Sequence, residues 1–108
     1  MKLIIGSHRL KLTDSLKTYS HKKLLTPLQK IVNSPGSRLT VKLSSVDSPK
    51  NKMNQKCHII LSAPRLKPVN ISIYDRNMYA AIDRAHHSVI RQVKRQRERI
   101  TGPLRRAS

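Results

Sequence analysis

Three features of this chain predict an α+β fold with the element order β-α-β-β-β-α. Residues 38–75 contain three runs with an apolar residue at every second position, separated by polar or proline-bounded connections; this is the pattern of half-buried strands in an antiparallel meander. Residues 76–100 place Met78, Ile82, Ala85, Val89, Val93 and Ile100 within about a quarter-turn stripe at roughly 100° per residue, as in a helix packed on one side. A short apolar run at the N-terminus is followed by a second helical stretch. Each strand then has one apolar face and each helix one apolar stripe, so the economical solution is a four-stranded sheet with both helices on one face. A chain of 108 residues supports one such core and not two. The domain is expected over residues 1–100, with 101–108 as a short basic tail.

The first strand is the run "KLIIGS" (2–7), ended by Gly6. "LTDSLKTYSHKKLLTPLQKIV" (12–32) reads as a helix. Thr13 can cap its first turn and Asp14 complements the positive helix end. The capping box is incomplete, because Leu16 stands where Glu or Gln would. Pro27 removes a helical hydrogen bond and clashes with the preceding turn. A break is therefore predicted near Thr26, which would cap a short restart with Pro27 at its first position. "NSPGS" (33–37) is turn chemistry.

In "RLTVKLSSV" (38–46) Leu39, Val41 and Leu43 share one face, and in "KCHIILSA" (56–63) Cys57, Ile59, Leu61 and Ala63 do. "DSPKNKMNQ" (47–55) between them is a polar, basic loop. "PRLKP" (64–68) is a tight connection, and "VNISIYD" (69–75) turns Val69, Ile71 and Ile73 inward. Asn77 is the expected cap of the last helix, about 36 Å long over 24 residues, which stops at Gly102-Pro103.

Charge narrows the function. The chain has 23 Lys and Arg against 5 Asp and Glu, a formal net charge of +18 with a pI near 11.3. Self-repulsion on that scale favours a polyanionic partner, most commonly nucleic acid. A membrane surface would need bulky apolar anchors, and Trp and Phe are absent. The single cysteine, Cys57, leaves no internal disulfide or cysteine zinc cage. No run is long enough for a membrane span, and the start lacks a signal-peptide pattern. A cytoplasmic protein without cofactor or metal is the expectation.

The candidate site is cationic. Residues 84–106 carry eight Lys or Arg and only Glu98 as an acid. A merely solvated helix normally mixes signs to gain pairs four residues apart, so a partner is favoured over solvation. Arg84, Arg91, Arg95 and Arg99 oppose the apolar stripe, with Lys94 and Arg97 on its flanks and Arg105 and Arg106 beyond. Lys17, Lys22, Lys23 and Lys30 form a second set on the first helix. With both helices on one side of the sheet, the two sets make one positive surface.

Catalysis is poorly supplied. His86 and His87 are adjacent and diverge by about 100°, whereas a metal pair on a helix wants a spacing of three or four. Asp14, Asp47, Asp75 and Asp83 are scattered, and no nucleophile has an evident activating base. Tyr19, Tyr74 and Tyr79 are the only aromatics, too few for a stacking surface. Such a chain should read phosphates and shape rather than bases.

The segment "NMYAAID", then "RQ" at 91–92 and basic residues at 95, 97 and 99, resembles the ribosome hibernation-promoting factor / ribosome-associated inhibitor A family. The resemblance extends over nearly the whole chain, from the opening strand and the "LTDSL" helix start to the late basics. It implies a fold related in outline to double-stranded RNA-binding domains. It also implies binding to the small ribosomal subunit between head and body, where messenger and transfer RNA are occluded and translation is reversibly stopped under stress or in stationary phase. A monomer off the ribosome is implied as well.

Arg91, Arg95, Arg97 and Arg99 fall where family members face ribosomal RNA; Lys22, Lys23 and Lys30 are similar to the family's first-helix lysines. Ser88 stands where relatives often carry Lys, a loss that Lys94 compensates. The chain ends without the second domain of the family's long forms, which resembles the short form. Besides the hibernation factor, two alternatives stay open: a constitutive structural ribosomal or general double-stranded RNA-binding protein, and, further off, an RNA-processing enzyme.

Overall fold

Alternation in the middle of the chain builds the sheet. A computed structural model describes residues 1–32, 34–46 and 53–107, with the backbone alone over 99–107. Strands β1 (Lys2–His8), β2 (Arg38–Ser45), β3 (Gln55–Ser62) and β4 (Val69–Asp75) lie in the order β1-β2-β3-β4. Leu39, Val41, Leu43, Cys57, Ile59, Leu61, Val69 and Ile71 are all buried on one face, as their spacing predicts, while Ala63 and Ile73 are half-buried. β2, β3 and β4 form the antiparallel meander, with Val41 opposite Ile59 and Ile59 opposite Ile71. β1 runs parallel to β2, Ile5 beside Val41. A parallel neighbour needs a long crossover, and the first helical stretch supplies it.

That stretch departs from expectation. Helix α1 (Asp14–Ser20) passes through one π turn (His21–Leu25) into α2 (Thr26–Ile31) without leaving helical dihedrals. The break predicted near Thr26 does not occur. The wider turn sends the Thr26 N–H to the His21 carbonyl, five residues back, and the Thr26 hydroxyl donates to the same oxygen at 3.2 Å. Pro27 then takes an early position in α2, where a missing N–H costs least. Thr26 thus serves the turn and does not cap a new helix. At the other end Thr13 Oγ1 accepts from the Leu16 N–H at 3.2 Å, the expected cap.

Helix α3 (Met78–Ala107) starts at Asn77, whose side chain accepts from the N–H groups of Tyr79 and Ala80. Met78, Ile82, Ala85, Val89 and Val93 are buried as predicted, joined by Ala81; the Ile100 side chain lies outside the described residues. Leu16, Leu24, Leu25, Leu28 and Val32 complete the same core. Both helical stretches therefore pack on one face of the sheet.

Two boundaries are corrected. Gly6 does not end β1, which continues to His8 with Gly6 paired to Lys42; a side chain there would meet nothing within 4 Å, so the glycine marks open space and not a turn. Gly102-Pro103 does not stop α3, so the backbone of the expected tail is helical to Ala107. Glycine and proline impose local penalties of about 1 and 3 kcal/mol, and the Leu-Arg-Arg-Ala run beyond them consists of good helix formers. The helix is then about 45 Å long at 1.5 Å per residue. Of the loop expected over 47–55, residues 47–52 lie outside the described residues.

Candidate nucleic-acid interface

The two helical stretches touch through a small polar cluster that orients their outer faces. The Tyr19 hydroxyl donates to Asp83 Oδ1 at 2.7 Å, and the Tyr19 and Tyr79 rings meet edge to face at 4.9 Å. Lys23 Nζ lies 4.0 Å from the same carboxylate and 5.7 Å above the Tyr19 ring. The bond to Asp83 pushes the Tyr19 phenol above its ordinary range, with burial adding to it. The His86 ring lies near Lys23, its Nδ1 buried without a hydrogen-bond partner among the described residues. Advancing along the first stretch from Tyr19 to Lys23 thus advances along α3 from Tyr79 to His86. The helices run side by side in one direction.

This geometry divides the candidate residues. Arg91, Lys94 and Arg95 are exposed on α3, and Lys22 and Lys30 on the neighbouring stretch. Those five and exposed Lys17 lie on the helix layer, on the side of the molecule away from the sheet. Arg97 is exposed further along α3, and the Arg99 side chain lies outside the described residues.

Arg84 and Lys23 are partly committed to the fold. Arg84 Nη1 donates to the Tyr74 carbonyl at 2.8 Å and reaches Asp75 at 3.3 Å, pinning the start of α3 to the end of β4. Asp75 also accepts from the Asn77 and Arg76 N–H groups, and the Asn77 bond leads in holding its carboxyl below the usual range. Lys23 faces Asp83. Sequence spacing alone had no means of separating these two from the other candidates, because their acids lie on other elements or 60 residues away.

The surface has further members. His21 joins Lys17, Thr18, Lys22 and Thr26 around an open depression at the π turn; the signal in the sequence was its spacing of four from Lys17. His87 is exposed on α3, while its neighbour His86 is half-buried between the helices, the two rings 5.0 Å apart. Burial first, then the nearby His87 charge, holds His86 below the usual imidazole range. The shift favours its uncharged form. Among the described residues no group of three His, Cys, Asp or Glu converges as metal ligands, and no helix is long and apolar enough to cross a membrane.

Fold and site together define a small α+β domain whose helix layer presents a polycationic surface. Residues 3–101 match the family described as Sigma 54 modulation protein / S30EA ribosomal protein, and the chain belongs to this ribosome-hibernation family of ribosome-binding factors. The N-terminal domain of Protein Y from Thermus thermophilus is similar at 30% identity and a TM-score of 0.69, covering 88% of this chain and 98% of that one. A ribosomal subunit interface protein from Coxiella burnetii shares the fold at 15% identity and a TM-score of 0.68, over 90% and 98% of the two chains. No curated protein sequence matches closely enough to count as a relative.

Proposed function

We propose that this chain is a hibernation factor that lays its helix layer on ribosomal RNA in the decoding region of the small subunit, excluding messenger and transfer RNA and reversibly stopping translation. The observation that carries it is the set of exposed cations on the helix layer, Arg91, Lys94, Arg95, Lys17, Lys22 and Lys30, on a chain belonging to a family of ribosome-binding factors. A rigid helix of about 45 Å with one cationic side suits a groove walled by RNA backbone. Phosphate neutralisation then supplies most of the affinity, because each contact releases condensed counterions.

The test has two parts. Arg91→Gln, Lys94→Gln and Arg95→Gln combined should flatten the slope of log affinity for the small subunit against log salt by roughly 2–3, at 0.7–0.9 per phosphate contact. Peptide synthesis by purified ribosomes should fall stoichiometrically with added protein, recover as salt rises, and resist inhibition once initiation complexes have formed. An unchanged slope would remove the helix layer from the interface. Equal inhibition of preloaded ribosomes would replace occlusion by another mechanism, and binding without inhibition would favour a structural or general RNA-binding role.

A further inference from the structure

The helix layer covers one side of the sheet; among the described residues nothing covers the other. The strand register brings the outward positions into rows there. Lys42 lies between Gly6 and His58, Lys56 between Ser44 and Tyr74, and Arg38 between Lys2 and Ser62. The row between those of Arg38 and Lys42 holds Ile4, Thr40 and Ile60, a low, partly apolar strip. Lys2, Arg38 and Lys42 are exposed, and none of them pairs with an acid among the described residues. The described acids are all elsewhere: Asp14 at the start of α1, Asp75 bonded to Arg84 and Asn77, Asp83 between the helices, Glu98 on α3. Asp47 lies outside the described residues.

Tyr74 changes what such a face can hold. It is 45% exposed, and the Lys56 ammonium sits 5.6 Å over its ring. The open space at Gly6 leaves Lys42 accessible from the β1 side. We propose that this open sheet face binds single-stranded RNA, its lysines and Arg38 taking phosphates and Tyr74 stacking on a base. A polyanion with exposed flat apolar faces matches a cationic surface that has no acid among the described residues and carries one ring and an apolar strip. A duplex buries its base faces, and an acidic peptide has charge but no flat ring systems to meet Tyr74. RNA as the partner class rests on the proposed function; the second surface and the single-stranded form do not. The molecule measures 53 × 30 × 17 Å, so two RNA segments held on its opposite broad faces would be bridged by one thin domain.

The experiment follows a labelled, unstructured RNA of about 12 nucleotides, within the usual footprint of one such surface, by fluorescence anisotropy with the full chain. Tyr74→Leu should weaken binding roughly 5- to 150-fold, the worth of one base stacked on an aromatic ring, and Tyr74→Phe should restore it. An abasic strand of equal charge should not distinguish these variants. Lys42→Gln with Lys56→Gln should lower the salt slope by about 1.4, at 0.7 per single-strand phosphate. All three side chains lie on the outward face of the sheet, Tyr74 and Lys42 exposed and Lys56 partly so, so melting should not change. An unlabelled RNA duplex that saturates the helix layer should leave the labelled strand bound.

Full displacement by duplex would overturn the proposal, as would parental affinity in Tyr74→Leu with a parental slope in the double lysine variant. Competition by polyglutamate that is indifferent to Tyr74 would assign the face to an acidic peptide instead. The Arg91, Lys94 and Arg95 variant reads the opposite surface on the small subunit, so failure of either reading is visible without the other.

Discussion

Two adjacent histidines illustrate how far single residues depend on what packs against them. Helical phase puts His86 beside the buried stripe of α3 and His87 away from it, and packing between the helices then holds His86 below the usual imidazole range while His87 remains exposed. The same is true of the cations: Lys23 and Lys22 are neighbours, yet only Lys23 meets Asp83. Cys57 is the clearest case of a side chain whose chemistry is set by burial. It sits with no exposure on the inner face of β3, and desolvation pushes its thiol up to about 12. The thiolate is the nucleophile, so at pH 8 the native protein should resist maleimide. In urea, labelling should follow the unfolding transition. Labelling of the native state at the rate of a free thiol would mean that the inner face of the sheet is open to solvent.

At the scale of elements, the π turn resolves a conflict between helix continuity and Pro27. One wider turn lets α1 and α2 stay in line and keep Leu24, Leu25 and Leu28 in the core, where a break would have redirected them. Turns of this kind often accompany functional sites, and here it carries His21 and Lys22 at the depression on the cationic layer. Helix α3 separates its two roles by face: Ile82, Ala85, Val89 and Val93 are wholly buried while Arg91 and Arg95 are exposed. Ile82→Asp would place an unpaired charge in the core, at a cost of several kcal/mol against total domain stability of about 5–15 kcal/mol. Cooperative melting should be lost. A variant that melts like the parent and only binds less would mean the stripe is a contact surface.

For the whole molecule, the net charge of +18 makes salt act in opposite directions on folding and on binding. Screening relieves repulsion within the free domain, so its melting temperature should rise as salt is increased from low ionic strength. Affinity for RNA should fall over the same range, because counterion release contributes less. With RNA bound, the complex should melt higher than the free domain at low salt, by mass action on the native state, and the gap should close as salt rises. If salt destabilises the free domain throughout, repulsion among its cations is not a leading cost of this fold.

The sequence by itself determined what depends on neighbours along the chain. Alternation at Leu39, Val41 and Leu43 and its counterparts in β3 and β4 named the inner sheet face, the spacing from Met78 to Val93 named the buried stripe of α3, and Thr13 and Asn77 announced the caps. Periods of two and of about 3.6 are local properties of the backbone, so they are legible in one dimension. Only the tertiary structure decided the parallel placement of β1 against β2, the continuity of the helix through Pro27, and the partial commitment of Arg84 and Lys23 to acids of the fold. It also decided the rows of the open sheet face, since Lys42, His58, Lys56 and Tyr74 become neighbours through strand register alone. Those outcomes rest on pairs far apart in the chain, whose meeting is fixed by the packing of the whole core and by no local preference.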